Sequence, residues 1–567
     1  MRRRLIGASL ALVLAALLGG CVALPSSGPV AVGKPEPVEV PLLDTFVDGP
    51  LKDGTPEQIV QGFIDAAAGP SGNYRVAREF LTEEFKTEWQ PGAGATIDVL
   101  SDRDLHEPEV AEDAAETQVA VDATPTASLT SSGQYELGES TAELTLAYRL
   151  AKVDGQWRIA EAPQGLLIDE FTFTETFRGY ELYFYDPDYR YLVPDLRWFA
   201  GLDAVQTSIV RALLAGPAEW LDPGVVSAFP EGVEIEPGSV PIANGVANVE
   251  LSGATFDDTL TVQRMQEQLE QSLVGAVRNV DQVALAIDGA VQDVGELANP
   301  PVRNPSVDPR PVVYDGTSFG YLASSGDEIE PIEGISPQVE GVSPTGAAVG
   351  PAAELVAVRS QAGVSVITPG EGPLERDPRE DLIVPAVDPH GVVWSVPATA
   401  PGELVAYPPG GGDARPIAVP WSGSTIAALE VSRDGTRMIA LLGDGPRTRF
   451  VAVSIERDAD GLPVELGPVV LRLSALAGTP LDVTWLDANR VASLTAVPGG
   501  DTRVIVQELG GIPEGTAGPA DAFMLDAGNG EGSLRALTRA GELDVPSGVG
   551  WQLRASGIAF VSSQMPD

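Results

Sequence analysis

The chain has 567 residues with 81 acidic against 35 basic side chains, a formal net charge of −46, which argues against a nucleic-acid surface because that needs clustered cations to displace phosphate counterions. Hydrophobic residues make up 44% at a mean hydropathy of +0.06, so wholesale disorder is excluded, and Gly 62 with Pro 48 favours many turns and extended pieces. A single cysteine excludes internal disulfide frameworks and thiolate metal sites, and two histidines, His106 and His390, leave little imidazole chemistry.

Arg2-Arg3-Arg4 forms a positive start, and Leu5 to Leu18 an apolar run of 14 residues. That run is short of the ~20 residues a helix needs to span the bilayer core, so it reads as a targeting segment. Leu18-Gly-Gly-Cys21 resembles a bacterial lipobox. The resemblance implies cleavage before Cys21, a diacylglyceryl group on its thiol and an acyl (palmitoyl) chain on its new amine. Residues 1–20 would leave, taking three arginines and no acids. So acidic a body is repelled by anionic lipid, and the acyl chains must hold it to the membrane. Residues 21–43, rich in proline, read as an extended tether.

The segment 44–168 opens on Thr55-Pro-Glu-Gln58, a helix start with Thr at N-cap and Pro at N1. Ile59, Val60, Phe63, Ile64 and Ala67 mark its apolar face. The spacing predicts a second helix over 74–84, with Val76, Phe80 and Leu81 inward. Strands are expected over 117–123, 143–150 and 156–160, with Asp154-Gly155 as a hairpin turn. Helices before an antiparallel sheet resemble the NTF2-like α+β class. His106, between Asp104 and Glu107, reads as a solvated loop residue.

In 169–299, Glu181 to Asp186 and Leu192 to Arg197 read as extended. Asp203 is expected to open a helix carrying Val205, Ile209, Ala212 and Leu213, and ended by Gly216-Pro217. Val246 to Ser252 reads as a strand whose inward face the alternation leaves open. Asp258 caps a helix bearing Val262, Met265 and Leu269, and Val283 to Gly289 is a strand and turn. The ordered blocks Tyr183-Phe-Tyr-Asp186, Leu192-Val-Pro194, Ala212 to Pro217, Ser227 to Pro230, Gly245 to Val249 and Ile287-Asp-Gly289 are similar to the GerMN domain. That resemblance implies an α/β-type module of envelope complexes without catalytic residues.

In 300–567, a linker at 299–305 precedes short β-rich runs. Val431-Ser-Arg-Asp-Gly435 sets a template that 342–349 and 387–394 match and 486–493 matches weakly. Gly346, Gly391 and Gly435 lie 45 and 44 apart, a period of propeller blades, and six blades fit the length, with seven open. Gly316-Thr-Ser318-Phe-Gly320 fits a hydrolase elbow, but the only later histidine is His390 in a blade turn, so no nucleophile is assigned. Asp458-Ala-Asp460-Gly461 is half a calcium loop and reads as a polar hairpin tip. Trp394, Trp421, Trp485 and Trp551 read as blade-core aromatics.

A lipobox, an NTF2-like segment, a GerMN domain and a propeller in this order resemble the actinobacterial LpqB lipoprotein family. The resemblance implies a lipid-anchored protein on the extracytoplasmic face of the cell membrane. It implies binding to the sensor domain of a histidine kinase, MtrB, and modulation of the MtrA–MtrB two-component system in cell-wall homeostasis and division. It implies no enzyme activity and no cofactor. A ligand- or glycan-binding envelope lipoprotein, and more remotely a propeller hydrolase using carboxylates or a metal, are the alternatives.

Overall fold

The computed structural model describes residues 48–106, 111, 114–138, 142–201, 204–253 and 258–566. Cys21, the targeting segment and the tether fall outside the described residues. Asp44 to Asp567 form one compact unit.

The first helix, Pro56–Ala66, has the expected capping box: Thr55 Oγ1 accepts from Gln58 N, and Gln58 Oε1 accepts from Thr55 N. Its Ile59, Val60, Phe63 and Ile64 are buried against two four-stranded sheets. One is antiparallel and runs Asp104–His106, Glu116–Ala123, Leu144–Val153, Gln156–Glu161. In the other, Gly94–Asp98 lies between Pro125–Thr130 and a parallel partner, Leu166–Asp169. The turn Asp154-Gly155 has positive φ at both residues, 51° and 79°, the type I′ geometry that matches strand twist. The second helical segment, Ser71–Arg78, begins with a left-handed turn, φ being 63°, 59° and 58° at Gly72, Asn73 and Tyr74, so its regular part is shorter than expected. Beyond it Leu81 bridges Ile159: Phe80 O accepts from Ile159 N and Thr82 N donates to Ile159 O, so pairing with the sheet replaces a further helical turn. Val76, expected inward, is only partly covered, and Tyr74 and Ala77 are buried instead.

A hairpin of Phe177–Tyr185 and Tyr191–Ala200, in nine paired positions, leads from this domain into the next. One end contributes Phe177, Trp198 and Ala200 to the first core, and the other contributes Leu182 to Tyr185, Leu192 and Val193 to the second. The second core is completed by the helices Val205–Ala215 and Thr259–Leu273 and by a parallel pair, Val246–Ser252 with Gln282–Ile287. Ala247, Val249 and Leu251 are the buried face of Val246–Ser252. The helix expected to open at Asp203 has Ala204 as N-cap, and Asp203 is outside the described residues. Asp258 caps its helix as read, accepting from Leu260 N.

Beyond the linker, six sheets are present among the described residues. Blade 1 joins strands of 312–331 to Phe560–Ser562, and blades 2 to 6 cover 346–377, 386–416, 425–473, 479–517 and 522–556. Their innermost strands contact one another in a closed ring, Phe560–Ser562 sitting between Ala522–Ala527 and Gly346–Val349. Gly391, Gly435 and Asn489 lie in the turn after the innermost strand, as the repeat predicted. The copy at 342–349 is out of phase: Gly346 opens the innermost strand of blade 2 instead. The linker is also more ordered than a spacer. Val302–Arg303 pairs with Tyr191-Leu192, and Asn304 Oδ1 accepts from Ala488 N.

The three domains are joined by specific contacts. Arg197 Nη1 donates to Ser132 O at 3.0 Å, and Trp198 Nε1 donates to Gly510 O at 2.9 Å. Ser454 Oγ donates to Asp222 O at 2.7 Å, and Ile512 packs on the first core. The first domain is therefore part of one body with the other two.

Candidate functional site

Cys21, the one assigned site residue, lies outside the described residues. His106 is on an edge strand, Asp104–His106, not in a loop, because its backbone pairs with Ala120. Its Nε2 meets Asp122 Oδ2, and that hydrogen bond raises the imidazole above its ordinary range. Ser318 sits in a hairpin turn where Asp315 Oδ1 accepts from the amides of Thr317 and Ser318, with no helix behind it. Asp458 Oδ1 accepts from the amides of Asp460 and Leu462, and Oδ2 from Arg415, so the half calcium loop is a closed hairpin tip. Among the described residues no grouping of His, Cys, Asp and Glu could hold a metal ion. Trp394, Trp421 and Trp485 are buried as expected. Trp551 departs from the expectation: it stands on the outermost strand of blade 6, partly exposed, its Nε1 donating to Ala517 O.

The feature that the sequence did not flag is a cavity of about 470 Å³ on the propeller axis. Residues that enter the innermost strands, Thr345, Asp381 and Pro480, line one end, where Thr345 and Asp381 are exposed. The other end is closed. Arg433, 4% exposed, donates to Trp485 O, Leu486 O and Gly528 O, and to Asn529 Oδ1. Asn529 in turn exchanges two 2.8 Å hydrogen bonds with Val307, just past the linker. The channel is thus a cup, floored by the chain that arrives from the second domain.

Three acids from consecutive blades line this cup. Glu430 Oε2 accepts from Trp485 N at 3.1 Å, and Asp482 Oδ2 accepts from Leu525 N at 2.8 Å. Asp526 Oδ1 accepts from Ser563 Oγ at 2.6 Å, while its Oδ2 accepts from Arg535. Each acid therefore reaches the next blade round the ring. Their strands share a register irregularity, at 426/428, 480/482 and 522/524; Glu430 and Asp526 occupy equivalent positions beyond it, and Asp482 stands two residues earlier, on the same face of its strand. Burial pushes Asp482 up to about 7 and holds Glu430 well above the usual carboxylate range. Arg359 also lines the cup. Burial lowers its guanidinium, which donates to Thr345 Oγ1, Thr345 O and Leu382 O. Facing the acids are Ala347, Ala348, Ala386 and Val387 of blades 2 and 3. The signal for these acids was a lone carboxylate in each otherwise apolar strand: Ala-Leu-Glu430-Val, Leu-Asp482-Val and Met-Leu-Asp526-Ala.

Neither histidine lines the cup. His390 is in the turn of blade 3 against Gly435 and Gly461, and burial with the nearby Arg457 lowers its imidazole. The cup offers charge, hydrogen-bond acceptors and an apolar wall. Among the described residues there is also no helix long and apolar enough to cross a membrane.

Three family models match in order: the N-terminal domain of lipoprotein LpqB over residues 49–174, the Germane domain of sporulation and spore germination over 181–293, and the LpqB beta-propeller domain over 320–558. A lipoprotein LpqB of Cutibacterium acnes is 28% identical over 285 residues, covering 50% of this chain and 47% of its own. That of Rhodococcus opacus is 29% identical over 334 residues, covering 56% and 49%, and that of Bifidobacterium longum 32% over 238, covering 40% and 41%. The matched part spans about half the length of these curated relatives or less. With both LpqB domains matched and the Germane domain between them, the chain belongs to the LpqB lipoprotein family.

Proposed function

We propose that this protein is a lipid-anchored accessory protein on the extracytoplasmic face of the cell membrane. It docks on the sensor domain of an MtrB-like histidine kinase and so modulates the MtrA–MtrB system in cell-wall homeostasis and division. The observation that carries the reading is the joining of the three domains through one hairpin, one linker and shared apolar cores. Such a body offers broad preformed surfaces, and a standard interface needs only ~800 Å² per partner. Preformed surfaces also lose little freedom on docking.

The net charge of −46 makes encounter with a basic surface of the sensor domain faster at low salt. Residues 48–567 in solution should bind the isolated sensor domain, with an association rate that falls as salt rises from 50 to 500 mM. Because the first domain is packed into the body, the whole of 48–567 is the species to use. No binding by surface plasmon resonance, or a rate indifferent to ionic strength, would sink the proposal.

The anchor is tested separately. Cys21→Ala should shift the protein from the membrane fraction to the soluble one, or leave it as an uncleaved precursor, because two or more acyl chains are what make such attachment stable. Processed protein that stays with membranes through a carbonate wash would remove Cys21 from its assigned role.

A further inference from the structure

We propose that the axial cup of the propeller binds a small organic ammonium ion with an apolar body. The cup's volume of about 470 Å³ falls within the ~300–1,000 Å³ of small-molecule sites. Its two ends differ: the floor is shut by Arg433, Asn529 and Val307, and the mouth is framed by Thr345 and Asp381. A ligand would therefore enter at the Thr345–Asp381 end and be stopped at the other by Arg433 and Val307.

The polar inventory selects a cation. Three arginines line the cup: Arg433 and Arg359 are engaged by hydrogen bonds, and Arg539 lies over the Phe523 ring, 5.5 Å from its centroid. Arg433 is held by carbonyls and Asn529, and Arg359 by Thr345 and the Leu382 carbonyl. Neither presents a free donor fork for an anion. The carboxylates are in the opposite condition. Glu430 takes one amide at Oε2, and its Oε1 meets no donor. Asp482 accepts one amide at each oxygen, leaving further lone pairs. Neither makes a salt bridge, unlike Asp526, which pairs with Arg535. An ammonium group has three donors and the charge that these two acids lack. The apolar wall of Ala347, Ala348, Ala386 and Val387 suits a hydrocarbon body. A metal ion is disfavoured, since no suitable ligand grouping exists among the described residues.

The electrostatics agree. The groups facing Asp482 are Asp526, Glu430 and Arg359, and those facing Glu430 are Asp482, Asp526 and Arg433. Burial first, and the mutual repulsion of the acids second, favour the protonated carboxyls. A bound ammonium favours the ionised form, so binding releases protons below about pH 7 and affinity grows as pH rises.

The test is calorimetric titration of the full chain in detergent with ethylammonium, cyclohexylmethylammonium and tetramethylammonium chlorides. Cyclohexylmethanol serves as the neutral isostere and calcium chloride as the inorganic cation. At least one ammonium ion should bind at one per chain, at least tenfold tighter than the alcohol. Its affinity should fall several-fold from pH 8 to pH 6, with protons released at the lower pH. Asp482→Asn and Glu430→Gln, which keep an oxygen acceptor for Leu525 N and Trp485 N, should each cost tenfold or more and flatten the pH dependence. The wild-type comparison of ammonium with alcohol needs no variant and stands even if one variant misfolds. Equal binding of alcohol and ammonium, preference for calcium, or no saturation by any of the three ions at 10 mM overturns the proposal.

Discussion

Ending the chain after Ser556 should open the propeller and abolish its cooperative melting. Phe560–Ser562 is the innermost strand of blade 1, paired with Val312–Tyr314 from the start of the same domain. Phe560, 1% exposed, packs on Tyr314 with ring centroids 5.4 Å apart, and Val561 packs with Leu537 and Leu543 of blade 6. Burying a Phe and a Val contributes about 1.5–3 kcal/mol each, before the ladder hydrogen bonds and the Met565 to Val349 bond are counted. Losing them removes on the order of 5 kcal/mol from a domain whose whole stability is about 5–15 kcal/mol. The truncation also bares the edge of Val312–Tyr314 at the ring centre, which invites association. Size exclusion and thermal melting give the readout. A truncated protein that stays monomeric and melts within a few degrees of the intact chain would show that the last strand does not close the ring.

Arg197→Ala should cost about 3–5 kcal/mol and loosen the first domain from the second. Arg197 and Asp195 are 1% and 2% exposed and pair through two bonds, Nε to Oδ1 at 3.0 Å and Nη2 to Oδ2 at 2.6 Å. Asp195 Oδ2 also accepts from Ala218 N, and Arg197 Nη1 reaches Ser132 O across the domain junction. Removing the guanidinium strands a buried carboxylate and frees the carbonyl of Ser132. The double variant Asp195→Asn, Arg197→Met leaves no orphan charge and should be less damaged than Arg197→Ala alone. Denaturant unfolding of the three proteins decides the matter: a single variant within about 1 kcal/mol of wild type would mean that the pair does not clamp the junction.

What was legible in the sequence was local. Thr55-Pro-Glu-Gln58 and Asp258 declare helix starts through short-range hydrogen bonds, and Asp154-Gly155 declares a turn through its tolerance of positive φ. The blade turns at Gly391 and Gly435 were legible for the same reason, and the turn at Asn489 through Asp487, whose Oδ1 accepts from the amides of Asn489 and Arg490. The copy at 342–349 misled because Ser-Pro-Thr-Gly has turn composition without the Asp that organises the others, so Gly346 could open a strand. The out-of-sequence pairings were not legible. Phe560 meets Tyr314 across almost the whole propeller, and Glu430, Asp482 and Asp526 become neighbours only when the ring closes. His106 was read as solvated, and its side chain is half exposed, but an edge strand can be as polar as a loop. The assignment of Cys21 as a lipidation site rests on its neighbours in sequence alone, and the residue lies outside the described ones.

The hairpin Phe177–Tyr185 with Tyr191–Ala200 is anchored in two cores at once, and that governs how the molecule can meet another. Freely jointed domains would each bring their own rotations to an encounter, and each would have to be arrested before a joint surface formed. Here the ribbon cannot swivel without drawing Trp198 out of one core or Tyr185 out of the other. One set of rotations is arrested for the whole body, so the angle at which the propeller presents itself is fixed by how the first domain is held. The body is a bracket: the relative aim of its domains is set in folding.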